Sequence, residues 1–142
     1  MGKVREILQS KQESICTVEP DITVYRAIEL MSEKNIAAVI ILEEGRLAGI
    51  FTEHDYTRKV VLKGKSSKAT SVGELMSRSP YSVNSESTVE ECMGLMNSKK
   101  IRHLPVVDNG NLVGVVSVGD LIRFIIEEQR TIIEHLEHYI TQ

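Results

Sequence analysis

Two short segments of the sequence carry a hydroxyl group and a carboxylate at the same spacing. Residues 49–55 read Gly-Ile-Phe-Thr-Glu-His-Asp, and residues 114–120 read Gly-Val-Val-Ser-Val-Gly-Asp. An ionised aspartate only accepts hydrogen bonds, and its two oxygens can accept both hydroxyl protons of a ribose. If each aspartate opens a helix, the free N–H groups at that helix start also attract phosphate. Asp55 and Asp120 are therefore candidate ligands of a phosphorylated sugar.

A purely structural role for the same residues is the alternative. Asp55 and Asp120 could serve only as helix caps, which stabilise a protein by about 1 kcal/mol each. The hydroxyls of Thr52 and Ser117 would then lie at the strand ends without a ligand. The glycine that opens each segment has no side chain and so lets another backbone or a ligand approach the strand closely. Both interpretations remain open at the level of sequence.

The two segments belong to an internal repeat. A shift of 65 positions aligns residues 17–60 with residues 82–125 without a gap, and 12 of the 44 pairs are identical. Asp55 falls on Asp120 in this alignment. A repeat of this length predicts one supersecondary unit that is used twice.

Each copy of the repeat predicts the order β-α-β-β-α, beginning with a strand and a helix. The first strands are expected at residues 15–18 and 81–83, and the helices begin after Thr23 and Thr88. Thr88 is followed three positions later by Glu91, which is the pattern of a capping box. Apolar residues then recur at helical spacing in both copies.

A hairpin and a second helix complete each copy. The hairpins are expected at residues 38–52 and 104–117, and the second one turns at Asn109-Gly110, a strong hairpin signal. Second helices begin near the two motif aspartates. The polar residues 63–71 are interpreted as the linker between the copies.

The last helix is expected to run from about Leu121 to Tyr139, past the end of the second copy. Its apolar residues form one stripe, which we expect to contact a second subunit, with packing against its own chain as the alternative. We therefore divide the chain into domains at 1–65 and 66–127 and a C-terminal extension at 128–142. The stripe contains Ile122, Ile125, Ile126, Ile132, Ile133, Leu136 and Ile140.

Composition excludes several classes of function. The chain has 142 residues, 17 basic and 20 acidic, and a net charge of -3. Nonspecific nucleic-acid binding usually needs a basic surplus, so no nucleic-acid partner is expected. The longest apolar run, residues 36–42, is far shorter than the roughly 20 residues of a membrane-spanning helix. The first residues lack the pattern of a signal peptide, and we expect a cytoplasmic protein that does not contact a membrane.

No pattern in the sequence predicts catalysis or a metal centre. Cys16 and Cys92 lie 76 positions apart, form no CxxC pair and are expected to be reduced. His135 and His138 lack a third ligand at suitable spacing, so no zinc site is predicted. The motifs GxSxG, HExxH and GxxxxGK are absent, and the chain is not expected to be an enzyme.

The duplicated β-α-β-β-α unit with its paired glycine-to-aspartate motif resembles the CBS-domain pair, or Bateman module. Residues 101–108, Ile-Arg-His-Leu-Pro-Val-Val-Asp, are also similar to the family's segment that leads into its second strand. The resemblance implies an α/β (α+β) disk in which the repeats pack about a pseudo-two-fold axis. It also implies clefts between them that bind AMP, ADP, ATP or NAD, with S-adenosylmethionine ranked lower.

The resemblance also implies which residues bind the nucleotide. Arg102 offers a forked, permanently charged donor for phosphate, whereas His103 becomes cationic only near or below pH ~6.5. We expect the cleft that carries Asp120 to bind phosphate better, and Asp55 to mark a weaker or different site. The residues expected to bind are Asp120, Ser117, Arg102, His103, Pro105, Tyr81, Ser82, Asp55, Thr52, His54, Thr17, Cys16, Ala38 and Arg58.

Two points about this site stay open. Arg58 and Arg123 follow the aspartates by three positions and could reach phosphate or form ion pairs along the helix. The two clefts also cannot be equivalent, because Arg102 aligns with Ala37. The sequence thus predicts a homodimeric regulatory module that senses a nucleotide and signals to a partner protein. The alternative is a scaffold that acts without a ligand through dimerisation and its last helix.

Overall fold

The computed structural model describes residues 2–11 and 15–141 and confirms the mixed α+β fold class. Its first half contains a short N-terminal helix and the first copy of the repeat, which includes three strands. The elements are α1 (Val4–Ser10), β1 (Thr17–Val18), α2 (Val24–Lys34), β2 (Ala38–Glu43), β3 (Arg46–Thr52) and α3 (Glu53–Asp55), which continues as a π-helical segment (Tyr56–Val61).

The second half contains the second copy and ends in a long helix, and its first short strand pairs antiparallel with β3 of the first half. The elements are α4 (Val72–Leu75), β4 (Ser77–Arg78), α5 (Val89–Lys99), β5 (His103–Asp108), β6 (Asn111–Ser117) and α6 (Val118–Thr141).

The predicted β-hairpins form in both copies. β2 pairs antiparallel with β3, and β5 pairs antiparallel with β6. Asn109 and Gly110 have φ values of 51° and 81°, and Glu44 and Gly45 have 52° and 77°. Two consecutive residues at positive φ are what a tight hairpin turn with the strands' twist requires.

The first strand of the second copy is shorter than predicted, and a proline explains the difference. In the first copy, β1 pairs in parallel with β2, and the Ile40 N–H donates to Cys16 O at 3.1 Å. The aligned residue in the second copy is Pro105, which has no N–H to donate. Pairing there reduces to an isolated bridge between Val83 and Val106. The strand predicted at 81–83 is therefore wrong in extent.

The short helices exchange cores between the two halves. Val4 and Ile7 of α1 are buried in the core of the second copy, whereas Val72 and Met76, from α4 and its end, are buried in the core of the first. Each copy thus completes its core with residues that precede the other copy in sequence. The domain boundaries at 65 and 127 stay a prediction, and this exchange is a feature that they do not capture.

The motif glycines make room for these exchanged helices. A Cβ atom on Gly49 would lie 2.6 Å from Met76 Sδ and 2.8 Å from Ser77 O. A Cβ atom on Gly114 would lie 2.6 Å from Leu8 Cδ2. The close approach expected at both glycines is therefore made by a neighbouring segment of the same chain.

α6 leaves the body of the molecule after its first turns. Leu121 is fully buried in the second core, but every residue from 127 to 141 is exposed. The helix has 24 residues and extends about 36 Å. Within residues 2–11 and 15–141, none of the helices combines the length and the apolarity that crossing a bilayer requires.

Candidate functional site

A cleft of about 1150 Å³ among the described residues has walls from both copies. One wall is formed by β6, the start of α6 and α1 of the second core. The opposite wall is formed by residues 15–16, 35–38 and 40 of the first copy. Asp120 and Ser117 lie on the first wall, at the point where β6 passes into α6.

Asp120 is buried in this cleft and is surrounded by donors. Its side chain is only 5% exposed. Lys11 Nζ donates to Asp120 Oδ2 at 2.8 Å, and the Ser117 N–H donates to the same oxygen at 2.8 Å. Arg123 Nη2 donates to Oδ1 at 2.6 Å. Of the two alternatives left open for Arg123, the ion pair along the helix is the one that the structure shows.

The protonation state of Asp120 follows from these contacts. Burial of the carboxyl by itself raises its pKa, but the hydrogen bonds from Lys11 and the Ser117 N–H outweigh burial. The pKa of Asp120 therefore lies below its ordinary value of 3.8. An ionised carboxylate has about four acceptor positions, of which three are occupied here.

Lys11 also ties α1 to the strand beside the cleft. Its ammonium group donates to Val115 O at 2.8 Å in addition to Asp120. The side chain is 25% exposed, so this cation is partly reachable from the cleft. Lys11 was missed at the level of sequence, since it lies 109 positions from Asp120. The starts of α1 and α4 also fall outside the 65-residue register. Lys3 forms a bridge with Thr88 and Ser71 forms one with the equivalent Thr23, so these two segments align at a shift of 68.

The cleft carries more acidic than basic groups. Its described lining includes Lys11 and Arg123, both already paired with Asp120. His103 also lines it, but burial and then the nearby Lys11 cation lower the pKa of its imidazole. His103 is therefore neutral at pH 7 and adds no cation. The acidic residues of the lining are Glu6, Asp120, Glu127 and Glu128.

Asp55 has the same local geometry but a different setting. Thr52 Oγ1 accepts from the Asp55 N–H at 3.1 Å, and Asp55 Oδ2 accepts from the Thr52 N–H at 3.0 Å. The cation nearest to Asp55 is Lys59 of the same helical segment, at 3.5 Å. Asp55 lines neither the cleft nor a second cavity of about 520 Å³ between α2 and the segment after β3. Its observed role is that of a capping box.

The structure brings five of the predicted binding residues together at the cleft. These are Asp120, Ser117, His103, Cys16 and Ala38. Cys16 is half-buried, and burial raises the pKa of its thiol. Cys16 and Cys92 are both free, and Cys92 lies in the second core with its pKa raised to about 11 by burial and then by Glu91.

The other nine predicted residues do not line this cleft. Arg102 does not line the cleft, although its neighbour His103 does, and the expected role of Arg102 in binding phosphate stays a prediction. Pro105 is buried in β5, and Tyr81 lies beneath Lys99, whose Nζ is 5.1 Å from the ring centre. The remaining residues are Arg102, Ser82, Asp55, Thr52, His54, Thr17 and Arg58, of which Asp55 and Thr52 are half-buried and the rest exposed.

The pseudo-symmetry explains where these residues lie. A shift of 65 carries Cys16 and Ala38 onto Tyr81 and His103, and the reverse shift carries Asp120 onto Asp55. A symmetric second site would therefore combine Tyr81 with Asp55, across the two copies. The sequence did not say which first strand faces which aspartate, and the structure places Cys16 and Ala38 of the first copy in the cleft with Asp120 and His103 of the second.

Comparison with known proteins agrees with this duplicated architecture. The family model for the CBS domain matches residues 4–62 and again residues 72–127. The mitochondrial CBS domain-containing protein CBSX3 of Arabidopsis thaliana is 36% identical over 148 aligned positions, which cover 96% of this chain and 71% of that protein.

Solved structures show the same arrangement. A proposed signal-transduction protein with CBS domains from Burkholderia ambifaria MC40-6 is 44% identical, with a TM-score of 0.85 over 89% of this chain and 96% of that one. A hexameric CBS-CP12 protein from bloom-forming cyanobacteria is 31% identical, with a TM-score of 0.76 over 84% of this chain and 70% of that one.

Proposed function

This chain belongs to the CBS-domain family of regulatory and signal-transduction proteins, and from that premise we propose that it binds an adenosine nucleotide in the cleft lined by Asp120. In this proposal it is a binding module without catalytic activity, and a partner protein reads its ligand-bound state. The observation that carries the proposal is the convergence of a buried carboxylate, a helix start and two cations in one cleft between the copies.

The contacts of Asp120 support a specific mode of binding. The ribose hydroxyls would donate to the Asp120 carboxylate and replace Lys11 Nζ there. The displaced ammonium of Lys11 and the exposed guanidinium of Arg123 would then be free to bind phosphate. The adenine would lie toward the apolar wall that contains Cys16 and Ala38.

This exchange also supplies a route to regulation. Lys11 holds the end of α1 against β6 through Val115 O, so its displacement would loosen α1 from the second core. A ligand shifts such an equilibrium only by the difference in its affinity for the two states. The proposal therefore requires tighter binding to the form in which Lys11 has left Asp120.

The surplus of acidic residues in the cleft favours binding of ligands with few phosphates. Glu6, Glu127 and Glu128 would repel a triphosphate more strongly than a monophosphate, and a cleft concentrates such fields. We therefore expect AMP to bind more tightly than ATP, with NAD between them. Lower ionic strength should widen this difference, because salt screens exposed charges.

Titration calorimetry with AMP, ATP and NAD tests the proposal. Wild-type protein should bind AMP, and Asp120→Asn should weaken that binding at least tenfold because the neutral amide loses the ionised acceptor. The matched control is Asp55→Asn, which changes the same kind of capping box outside the cleft and should leave the affinity unchanged. Absence of heat with all three ligands at millimolar concentration would reject nucleotide binding.

A scaffold that works through self-association is the second candidate. The exposed apolar residues of α6 favour it, and a structural neighbour is a hexamer. We propose that this chain forms a homodimer in the cytoplasm in either case. A protein that binds none of the three ligands but dimerises through α6 would support the scaffold.

A further inference from the structure

The exposed part of α6 carries a continuous heptad pattern. Six positions at spacings of 4, 3, 4, 3 and 4, the repeat of a two-helix coiled coil, carry five apolar residues and one glutamine. The five apolar residues of this series are 46% to 79% exposed. We call the series the α6 seam, and it consists of Ile122, Ile126, Gln129, Ile133, Leu136 and Ile140.

The seam needs a packing partner to be stable. Isolated helices of about 12–15 residues are marginal in water, and most helix stability in proteins comes from burying an apolar face. All residues from 127 to 141 are exposed in the described structure, so their apolar face is not buried by their own chain. A neighbouring molecule must therefore cover it.

Charge argues against an anionic membrane as that neighbour. The exposed part of α6 carries Glu127, Glu128, Glu134 and Glu137 but only one arginine, Arg130. Helices that lie on membrane surfaces are typically rich in lysine and arginine on their polar face. The acidic face of α6 would be repelled by anionic lipids.

A second copy of α6 complements the seam when it runs antiparallel. With a two-fold axis beside Thr131, Ile126 meets Leu136 of the partner subunit, and Ile122 meets Ile140 of the partner subunit. The same alignment brings the mostly exposed Arg123 beside Glu137 of the partner subunit, an opposite charge, at both ends of the interface. It also sets Arg130 beside its own copy and Gln129 against Ile133 of the partner subunit, so two favourable charge contacts stand against one unfavourable one. Ile132, which flanks the seam, then meets its own copy.

The parallel alignment matches less well. It pairs each seam residue with its own copy, which places Gln129 against Gln129 of the partner subunit. It also places Arg130 beside Ile125 of the partner subunit and Glu137 beside Ile132, so that charges face apolar side chains. Arg123 and Glu137, the complementary pair, are then separated along the helix.

We propose that two copies of this chain associate through an antiparallel pair of α6 helices centred beside Thr131. The interface is formed by the α6 seam and by the flanking residues Ile125, Ile132 and Tyr139. This inference specifies the partner and geometry of the proposed homodimer. The interface shares Arg123 and Ile132 with the lining of the cleft, but it does not require a bound nucleotide. Failure of the calorimetric test would leave it intact, and a monomeric protein would leave ligand binding intact.

Sedimentation of the full chain tests the association. Wild-type protein should sediment as a dimer, and Ile133→Glu should weaken the dimer at least tenfold because it buries a charge in the seam. His135→Glu is the matched control, since it adds the same charge on an exposed face outside the seam and should leave the dimer unchanged. A wild-type monomer, or a dimer unaffected by Ile133→Glu, overturns the proposal.

Cysteine crosslinking tests the orientation, and does so even if Ile133→Glu fails to fold. Mixed under oxidation, Ile126→Cys and Leu136→Cys chains should form the heterodisulfide, and wild type, with its half-buried and buried cysteines, should form none. Efficient crosslinking of Ile126→Cys to itself would indicate the parallel pair and overturn the proposal. Binding of wild type but not Ile133→Glu to phosphatidylglycerol vesicles, without a dimer, would overturn it in favour of a membrane surface.

Discussion

Asp55 and Asp120 share one local motif but have different surroundings. Both side chains accept from the N–H of the hydroxyl residue three positions earlier, at 3.0 Å for Thr52 and 2.8 Å for Ser117. Asp120 also forms an ion pair with Lys11 at the end of the distant helix α1, whereas the cation nearest to Asp55 is Lys59 of its own helical segment. The motif thus determines the helix start, and the distant lysine and the opposite wall determine which copy carries the cleft.

The motif glycines should show the largest difference between the two copies. A Cβ atom on Gly49 would collide with both Met76 and the backbone oxygen of Ser77, whereas one on Gly114 would meet only the side chain of Leu8. Because a backbone atom yields less than a side chain, Gly49→Ala should lower the free energy of unfolding by about 3 kcal/mol and Gly114→Ala by about 1 kcal/mol. Urea denaturation measures both, and equal losses would contradict the asymmetry.

Neutralising the two aspartates should have a smaller, still unequal effect. Asp120→Asn weakens charge-assisted hydrogen bonds from Lys11 and Arg123 and should cost about 2 kcal/mol of stability. Asp55→Asn weakens mainly a helix cap and should cost about 1 kcal/mol. Thermal and urea unfolding compare the two variants. A greater loss for Asp55→Asn would mean that Lys11 contributes little to the second copy.

Lowering the pH should reduce the difference in the free energy of unfolding between wild type and Asp120→Asn. The folded state holds the pKa of Asp120 below 3.8, so the unfolded state takes up its proton first as the pH falls. The stabilisation is complete above about pH 5 and is lost as the pH falls through 3.8 toward the folded pKa. Urea unfolding between pH 7 and pH 3 should show a shallower acid slope for Asp120→Asn than for wild type.

Lys11→Met sharpens this acid test, because the hydrogen bond from Lys11 is the largest contribution that lowers the pKa of Asp120. The variant should also show a shallower acid slope than wild type. Parallel slopes for wild type and both variants would mean that the acid sensitivity arises at another carboxyl.

Local features of the fold were readable because neighbouring residues encode them. Thr88 and Glu91 form the predicted capping box, with distances of 3.0 and 3.2 Å, and Asn109-Gly110 forms the predicted turn. Pro105 could have corrected the strand expected at 81–83, since its missing N–H was visible in the sequence. The composition of the cleft was less readable, because the repeat alignment does not reveal which copy faces which.

The sequence alone determined that one β-α-β-β-α unit occurs twice and that each copy ends its hairpin in a capped helix, because periodicity, turns and caps depend on residues a few positions apart. Only the tertiary structure decided that α1 packs into the second core, that Lys11 reaches Asp120 across 109 positions, and that Cys16 and Ala38 face Asp120. These contacts arise because α1 is buried against the second copy and α4 against the first. No local sequence pattern encodes that choice.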